Sequence, residues 1–186
     1  QADVLLIELS PPDKHGFCSL GIEGGLCKTA AQSARFLIAE INEQMPRILG
    51  DCFIHISKIE DAGLAGVMPL LKKKSEPSEL SMKIGRFIAS LIEDGATLQL
   101  GIGAIPDGVL HYLDDKHDLG LHTYVFSDCV MKLAKSGVIT NEKRTFHRGK
   151  ITVGFMLGSR ELYDFADDNP IIELHPTEYI NDPFLI

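Results

Sequence analysis

The segment Thr97-Leu-Gln-Leu-Gly101-Ile-Gly103-Ala-Ile-Pro106-Asp107 combines residue types and spacing that could do chemistry. An apolar run, two glycines one residue apart and then a proline predict a strand, a tight loop and the start of a helix. Gly101 is free to take positive φ, and Gly103 lets a ligand approach the backbone where a Cβ would block it. Pro106 suits the first helical position, whose N–H has no partner in any case. A helix N-terminus opening from a glycine loop offers N–H groups and the positive end of the helix dipole to a phosphate or another anion. The spacing points to a phosphorylated cofactor, with a purely structural strand-to-helix turn as the competing explanation. A dinucleotide is disfavoured. Its fingerprint needs a third glycine where Pro106 stands, and an acid at the end of the next strand, whereas Leu119-Gly-Leu-His-Thr-Tyr-Val-Phe126 has none.

Longer motifs surround the loop: Glu93-Asp-Gly-Ala-Thr-Leu-Gln-Leu-Gly-Ile-Gly-Ala-Ile-Pro-Asp107, Asp118-Leu-Gly-Leu-His-Thr123 and Ser136-Gly-Val-Ile-Thr-Asn141. Upstream lie Ser10-Pro-Pro-Asp-Lys-His-Gly-Phe-Cys-Ser-Leu-Gly21, Ile38-Ala-Glu-Ile-Asn42 and Gln44-Met-Pro-Arg47. Downstream lie Leu162-Tyr-Asp-Phe165, Asp168-Asn-Pro170 and Tyr179-Ile-Asn-Asp-Pro183. Together they resemble the acetyl-CoA hydrolase/transferase family nearly end to end, and within it the 4-hydroxybutyrate and butyryl-CoA:acetate CoA-transferases. The resemblance implies an α/β fold of two lobes with the active site between them. Residues 1–74 would be part of the first lobe, and residues 75–186 part of the second, carrying the glycine loop. It also implies coenzyme A, as acyl-CoA, for the cofactor, without a metal, and contact with it at Gly101, Ile102, Gly103, Ala104 and Ile105. The implied reaction is acyl exchange between an acyl-CoA and a short-chain carboxylate such as 4-hydroxybutyrate, butyrate or acetate. A homo-oligomer, or association with a complementary chain, is expected.

The resemblance also marks a departure. In the family the residue after this His-Thr pair is the catalytic glutamate, and here it is Tyr124. The glutamate attacks the thioester to give a mixed anhydride and CoA thiolate, and the thiolate then forms an enzyme-bound thioester. A phenol, with a reference pKa of about 10, is mostly neutral and yields only an aryl ester, so exchange through position 124 is expected to be lost. A non-catalytic CoA-binding or assembly subunit is therefore the alternative. Among other acids, Asp128 is expected to cap a helix and Glu142 to be solvated in a loop. Glu8 and Glu23 fall in the first lobe, near motifs that would line the cleft. His122 is expected to be a hydrogen-bonded core histidine, and His15 and Asn42 either line the cleft or stabilise turns.

Alternating elements must position these residues. Strands are predicted at Val4–Leu9, Cys52–Ile56, Thr97–Leu100, 119–126 and 151–157. Apolar residues at 31, 34, 38 and 41 predict a helix over 30–41. A second helix starts at Ser78, with apolar residues 80, 84, 87, 88, 91 and 92 on one face and a stop at Gly95. Further helices are predicted at 106–113, from Ser127 or Asp128 to near Gly137, and from Ser159 to Phe165. This pattern defines an α/β fold with mostly parallel sheets and flanking helices. The stretch 63–77 has the least pattern and is taken as the lobe boundary.

A net charge of −8 argues against nucleic acid or an anionic membrane as partner. Lys72-Lys-Lys74 is expected to be a solvated linker. The four cysteines lack C-x-x-C spacing, which argues against a zinc or redox site and suits free thiols in a reducing, cytoplasmic compartment. No apolar run reaches the roughly 18 residues of a membrane span, and the N-terminal residues lack the basic start of a secretion signal.

Overall fold

A computed structural model of the chain describes residues 2–67, 69, 71 and 77–186. The run Lys72–Lys74 lies outside the described residues. Three sheets organise the rest. Strands β1 (Val4–Leu9), β3 (Phe36–Asn42) and β5 (Asp61–Ala65) form a parallel sheet in the order β1-β3-β5. Strands β2 (Phe17–Ser19) and β4 (Phe53–His55) pair antiparallel. Strands β6 (Thr97–Leu98), β7 (Gly120–Phe126), β8 (Ile151–Met156) and β9 (Ile172–Leu174) form a parallel sheet in chain order. Six helices connect and flank them: α1 (Cys27–Ser33), α2 (Glu79–Ala89), α3 (Ala104–Leu110), α4 (Asp128–Lys135), α5 (Arg160–Ala166) and α6 (Thr177–Ile180). The expected class, α/β with mostly parallel sheets, is what the molecule shows.

The single helix expected over 30–41 is instead a short helix, α1, followed by strand β3. The stripe at 31, 34, 38 and 41 fits a helical period, but residues 36–42 obey a period of two. Leu37, Ala39 and Ile41 are buried while Phe36, Ile38 and Glu40 are exposed. Pairing with β1 on one side and β5 on the other decides between the two patterns. β5 itself lies partly in the stretch taken as unpatterned, because an edge strand with Gly63 at its centre buries almost nothing.

Helix α2 begins as expected, with the Ser78 hydroxyl accepting the N–H of Ser81 at 3.2 Å. Its buried face differs from the expected one. Ser81, Gly85 and Ala89 are buried, whereas Leu80, Phe87 and Leu91 are each about two-thirds exposed. The cause is a close crossing with α3: a Cβ on Gly85 would lie 2.4 Å from the carbonyl carbon of Gly108. Only small residues permit that approach, so Leu80, Phe87 and Leu91 are turned outward, while Ile88 and Ile92 of the expected face pack partly against the core. The helix stops at Ala89, before Gly95, and the Ser90 hydroxyl donates to the Phe87 carbonyl at 2.6 Å.

The deepest packing surrounds β7 and β8, where Leu121, Phe126, Val153 and Met156 are fully buried. A segment after β2 docks on this sheet. Gly24 and Gly25 donate to the Gly154 carbonyl at 3.2 and 2.8 Å, and Met156 donates to Ile22 at 2.8 Å. The link continues from Leu174 N–H to the Leu49 carbonyl at 2.8 Å. A Cβ on Gly50 would lie 2.4 Å from the Leu174 carbonyl oxygen, and its φ of 116° adds a second demand for glycine.

Candidate active site

Tyr124 projects from β7 into a slot cut by two glycines. A Cβ on Gly154 would lie 2.8 Å from its Cδ2, and one on Gly25 would lie 2.8 Å from its Cε2 and 3.1 Å from its hydroxyl oxygen. Thr177, at the start of α6, closes the slot: the same Cβ on Gly25 would lie 2.9 Å from Thr177 Oγ1. The ring also stacks on Phe155, with centroids 6.3 Å apart.

Glu23 is the carboxylate of this neighbourhood, and its Oε1 accepts the Leu26 N–H at 2.9 Å. Burial raises the Tyr124 phenol, and the negative charge of Glu23 raises it further. Burial likewise raises the Glu23 carboxyl and pushes the Cys27 thiol up to about 11, with Glu23 adding to the effect. Three acidic groups therefore share one low-polarity corner that favours their neutral forms.

The glycine loop is fixed at its root by Thr123. Its hydroxyl donates to the Leu100 carbonyl at 2.8 Å and accepts the Leu100 N–H at 2.9 Å. Gly103 then adopts φ 143°, ψ 177°, a conformation essentially reserved for glycine, and leads into α3. Positive φ thus falls at Gly103 rather than at Gly101. Pro106 is the third helical residue rather than the first, and its missing N–H still falls among the unpaired donors of the first turn. Gly101, Ile102, Gly103, Ala104 and Ile105 are all exposed, and a Cβ on either glycine would meet nothing within 4 Å. The hollow at the loop is lined in part by Val125 and Ser127. Tyr124, between them in sequence, points to the other face of β7 by strand alternation. The loop follows β6 and is tied to β7 only through Thr123, and Tyr124 lies on the opposite face of β7, so loop and phenol are not brought into one pocket.

The remaining candidates have structural partners. His122 is buried, with Nε2 2.8 Å from the Ile180 carbonyl and Nδ1 3.2 Å from Arg144 Nη2. Nε2 thus carries the proton and Nδ1 accepts from the guanidinium. Asp128 does not cap its own helix. It accepts from the Ser159 N–H at 3.1 Å and from the Ser159 hydroxyl at 2.6 Å, bracing the start of α5. Asn42 is buried, donates to Glu8 and accepts the Gln44 N–H at 2.9 Å, which makes it a turn stabiliser. His15 is exposed in a turn whose N–H is held by Asp13 at 2.8 Å. Glu142 is exposed and pairs with Arg148 at 3.2 Å.

Burial depresses the His122 pKa, the Ile180 carbonyl opposes this, and the charges of Arg144 and His147 add to the depression. The unfolded chain therefore binds a proton that the folded chain refuses. Stability conferred by neutral His122 is complete above the unfolded value of 6.5 and is lost as pH falls from there toward the folded pKa. Urea midpoints should fall between about pH 7 and pH 5, and His122→Gln should fall less over the same window. An equal fall in both proteins would show that other groups carry the effect.

A second cluster carried no motif in the sequence. His147, Glu173, His175 and Tyr179 come from three separate segments, and only the Glu173-Leu-His175 spacing hinted at a shared face.

The N-terminal domain model of the acetyl-CoA hydrolase/transferase family matches residues 1–94. The chain is 51% identical over 185 residues to the 4-hydroxybutyrate coenzyme A transferase of Clostridium kluyveri, covering 99% of this chain and 43% of that protein. It is 44% identical to the succinyl-CoA:acetate/propanoyl-CoA:succinate CoA transferase of Fasciola hepatica, covering 100% of this chain and 39% of that one. The crystal structure of 4-hydroxybutyrate CoA-transferase from Porphyromonas gingivalis superposes with a TM-score of 0.93 at 43% identity, over 98% of this chain and 47% of that one. The parallel α/β scaffold is thus shared with proteins named as CoA-transferases. The chain belongs to the acetyl-CoA hydrolase/transferase family, and it spans less than half the length of these relatives.

Proposed function

We propose that this chain carries the CoA-recognition region of a CoA-transferase whose reaction is acyl exchange between an acyl-CoA and a short-chain carboxylate. The substrate class, 4-hydroxybutyrate, butyrate or acetate, follows the relatives' names. The observation that carries the reading is the loop at 101–105. It is exposed, held by Thr123, and shaped by a glycine-only conformation at Gly103. Backbone dipoles suit this task in a chain of net charge −8, which offers a polyanion no general attraction. Residues 1–74 and 75–186 are read as parts of two lobes, joined where the Ile22–Gly25 segment meets β8.

Tyr124 is proposed to occupy the position of the family's glutamate, so that exchange is weak. That substitution favours a second reading, a non-catalytic CoA-binding or assembly subunit, because a phenol stands where acyl exchange requires a carboxylate. Exposed apolar side chains at Leu6, Leu64, Leu80 and Phe87 support association with a second copy or a complementary chain. No helix among the described residues is long and apolar enough to cross a membrane, and a cytoplasmic location is proposed.

Calorimetric titration with CoA tests the reading. Gly103→Val cannot hold φ 143° without strain and places a branched side chain where the ligand would lie. Affinity should fall at least about tenfold, equivalent to about 1.4 kcal/mol. An unchanged affinity would remove the loop from the binding site.

A further inference from the structure

We propose that His147, Glu173 and His175 form a binding site for a divalent transition-metal cation, with zinc the preferred occupant. The site stands on its own geometry and does not depend on CoA recognition.

Glu173 and His175 are two residues apart along the edge strand β9 and its extension, so both side chains fall on one face. His147 reaches the same point from the loop before β8, where its own backbone takes a left-handed φ of 51°. One carboxylate oxygen is the meeting point: Glu173 Oε2 lies 2.6 Å from His147 Nδ1 and 3.3 Å from His175 Nε2. One donor atom from each of the three residues lies within 4.8 Å of the others.

Zinc bonds of about 2.0–2.2 Å to nitrogen and oxygen place tetrahedral ligand atoms about 3.3 Å apart. The His175–Glu173 separation already has this value, and the His147–Glu173 separation must widen by about 0.7 Å. Two imidazoles and a carboxylate form a three-ligand set that leaves a fourth position for water or another ligand. All three side chains are mostly but not fully buried, at 23%, 23% and 13% exposure, which leaves a path from solvent.

The surroundings orient the ligands. The Tyr179 hydroxyl meets Nε2 of His147, the nitrogen that does not face Glu173, so it can accept that N–H while Nδ1 binds metal. The same Tyr179 ring stacks on His175 with centroids 4.6 Å apart and planes 23° from parallel. One tyrosine thus fixes both imidazoles. Lys150 Nζ, 4.0 Å from the other Glu173 oxygen, is the cation that competes with a bound metal.

Zinc titrated into the metal-free chain is expected to bind at one equivalent with a dissociation constant of about 10 µM or tighter. His175→Ala and the near-isosteric Glu173→Gln should each weaken binding at least about tenfold. Cobalt(II) in place of zinc should give the intense d–d absorption of tetrahedral coordination without a thiolate charge-transfer band, a readout that needs no variant. Circular dichroism of the metal-free variants separates lost ligands from lost folding. Failure to saturate by about 100 µM, unchanged affinity in Glu173→Gln, or a thiolate band assigning the metal to cysteine would each overturn the proposal.

Discussion

Replacing Tyr124 by glutamate is expected to give the chain a covalent thioester with CoA and to raise acyl exchange by roughly a thousandfold, against the roughly millionfold that a nucleophile knock-out costs in a well-studied hydrolase. The new carboxylate would attack the acyl-CoA carbonyl, the C–S bond would break, and CoA thiolate would leave a mixed anhydride behind. The thiolate would then attack the glutamyl carbonyl, expelling the carboxylate and leaving the protein-bound thioester. Mass spectrometry after incubation with acyl-CoA reads that adduct directly. Tyr124→Gln, with similar size and no nucleophilic oxyanion, should give none. The neighbourhood imposes a second expectation. Glu23 already raises the phenol, and it would oppose ionisation of a second carboxylate in the same corner. Adding Glu23→Gln to Tyr124→Glu should therefore increase exchange further and extend it to lower pH. CoA binding without adduct or exchange in either variant would show that position 124 is not the reacting one.

What the sequence made legible, and what it did not, divides by the range of the interaction. Ser78, Ser159 and the apolar run of β8 act through neighbours a few residues away, and their elements are where local chemistry puts them. The segment 30–41 misled because a helical stripe and a strand alternation coexist there. Only pairing with β1 and β5, distant in sequence, selects the strand. Helix α2 misled for a related reason: its largest apolar residues suggested the buried face, but the close approach of Gly85 to Gly108 assigned burial to the small ones. Asp128 reads as a cap from its own helix alone, and only the fold shows that it serves Ser159 instead.

At the site, the glycine loop and the His-Thr-Tyr run were visible as motifs. Their opposite placement about β7 followed from strand alternation once the hollow beside Val125 was known. The Gly24-Gly25 pair carried a signal that could have been read, since adjacent glycines often mark a close approach: Gly25 admits the Tyr124 ring and Gly24 admits Leu174. The histidine-glutamate cluster carried almost none, because its members meet only when the loop before β8 folds over β9.

Arg144 holds that loop, and its replacement is expected to be among the most destabilising single changes in the protein. The side chain is only 8% exposed. The two hydrogens of its Nη1 are shared among the Leu121 carbonyl at 2.9 Å, the Lys150 carbonyl at 2.6 Å and the Thr152 hydroxyl at 2.9 Å, and Nη2 donates to His122 at 3.2 Å. Burial works against its charge, while Tyr179 and Glu173 support it. Arg144→Met would leave two carbonyls, a hydroxyl and an imidazole nitrogen without that donor. Losing one partner of a buried charged network costs about 3–5 kcal/mol, a large share of the roughly 5–15 kcal/mol that holds a typical domain together. Urea unfolding at fixed pH should show a loss of unfolding free energy of that size, read from the midpoint and slope together. Thr152→Val, which removes one acceptor and keeps the guanidinium, should cost about 1 kcal/mol. Arg144→Lys should resemble Arg144→Met more than the native protein, because a single ammonium cannot reach all four acceptors from one position. A loss below about 1 kcal/mol in Arg144→Met would mean that water replaces the guanidinium at no great cost, and that the loop carrying His147 is held by other contacts.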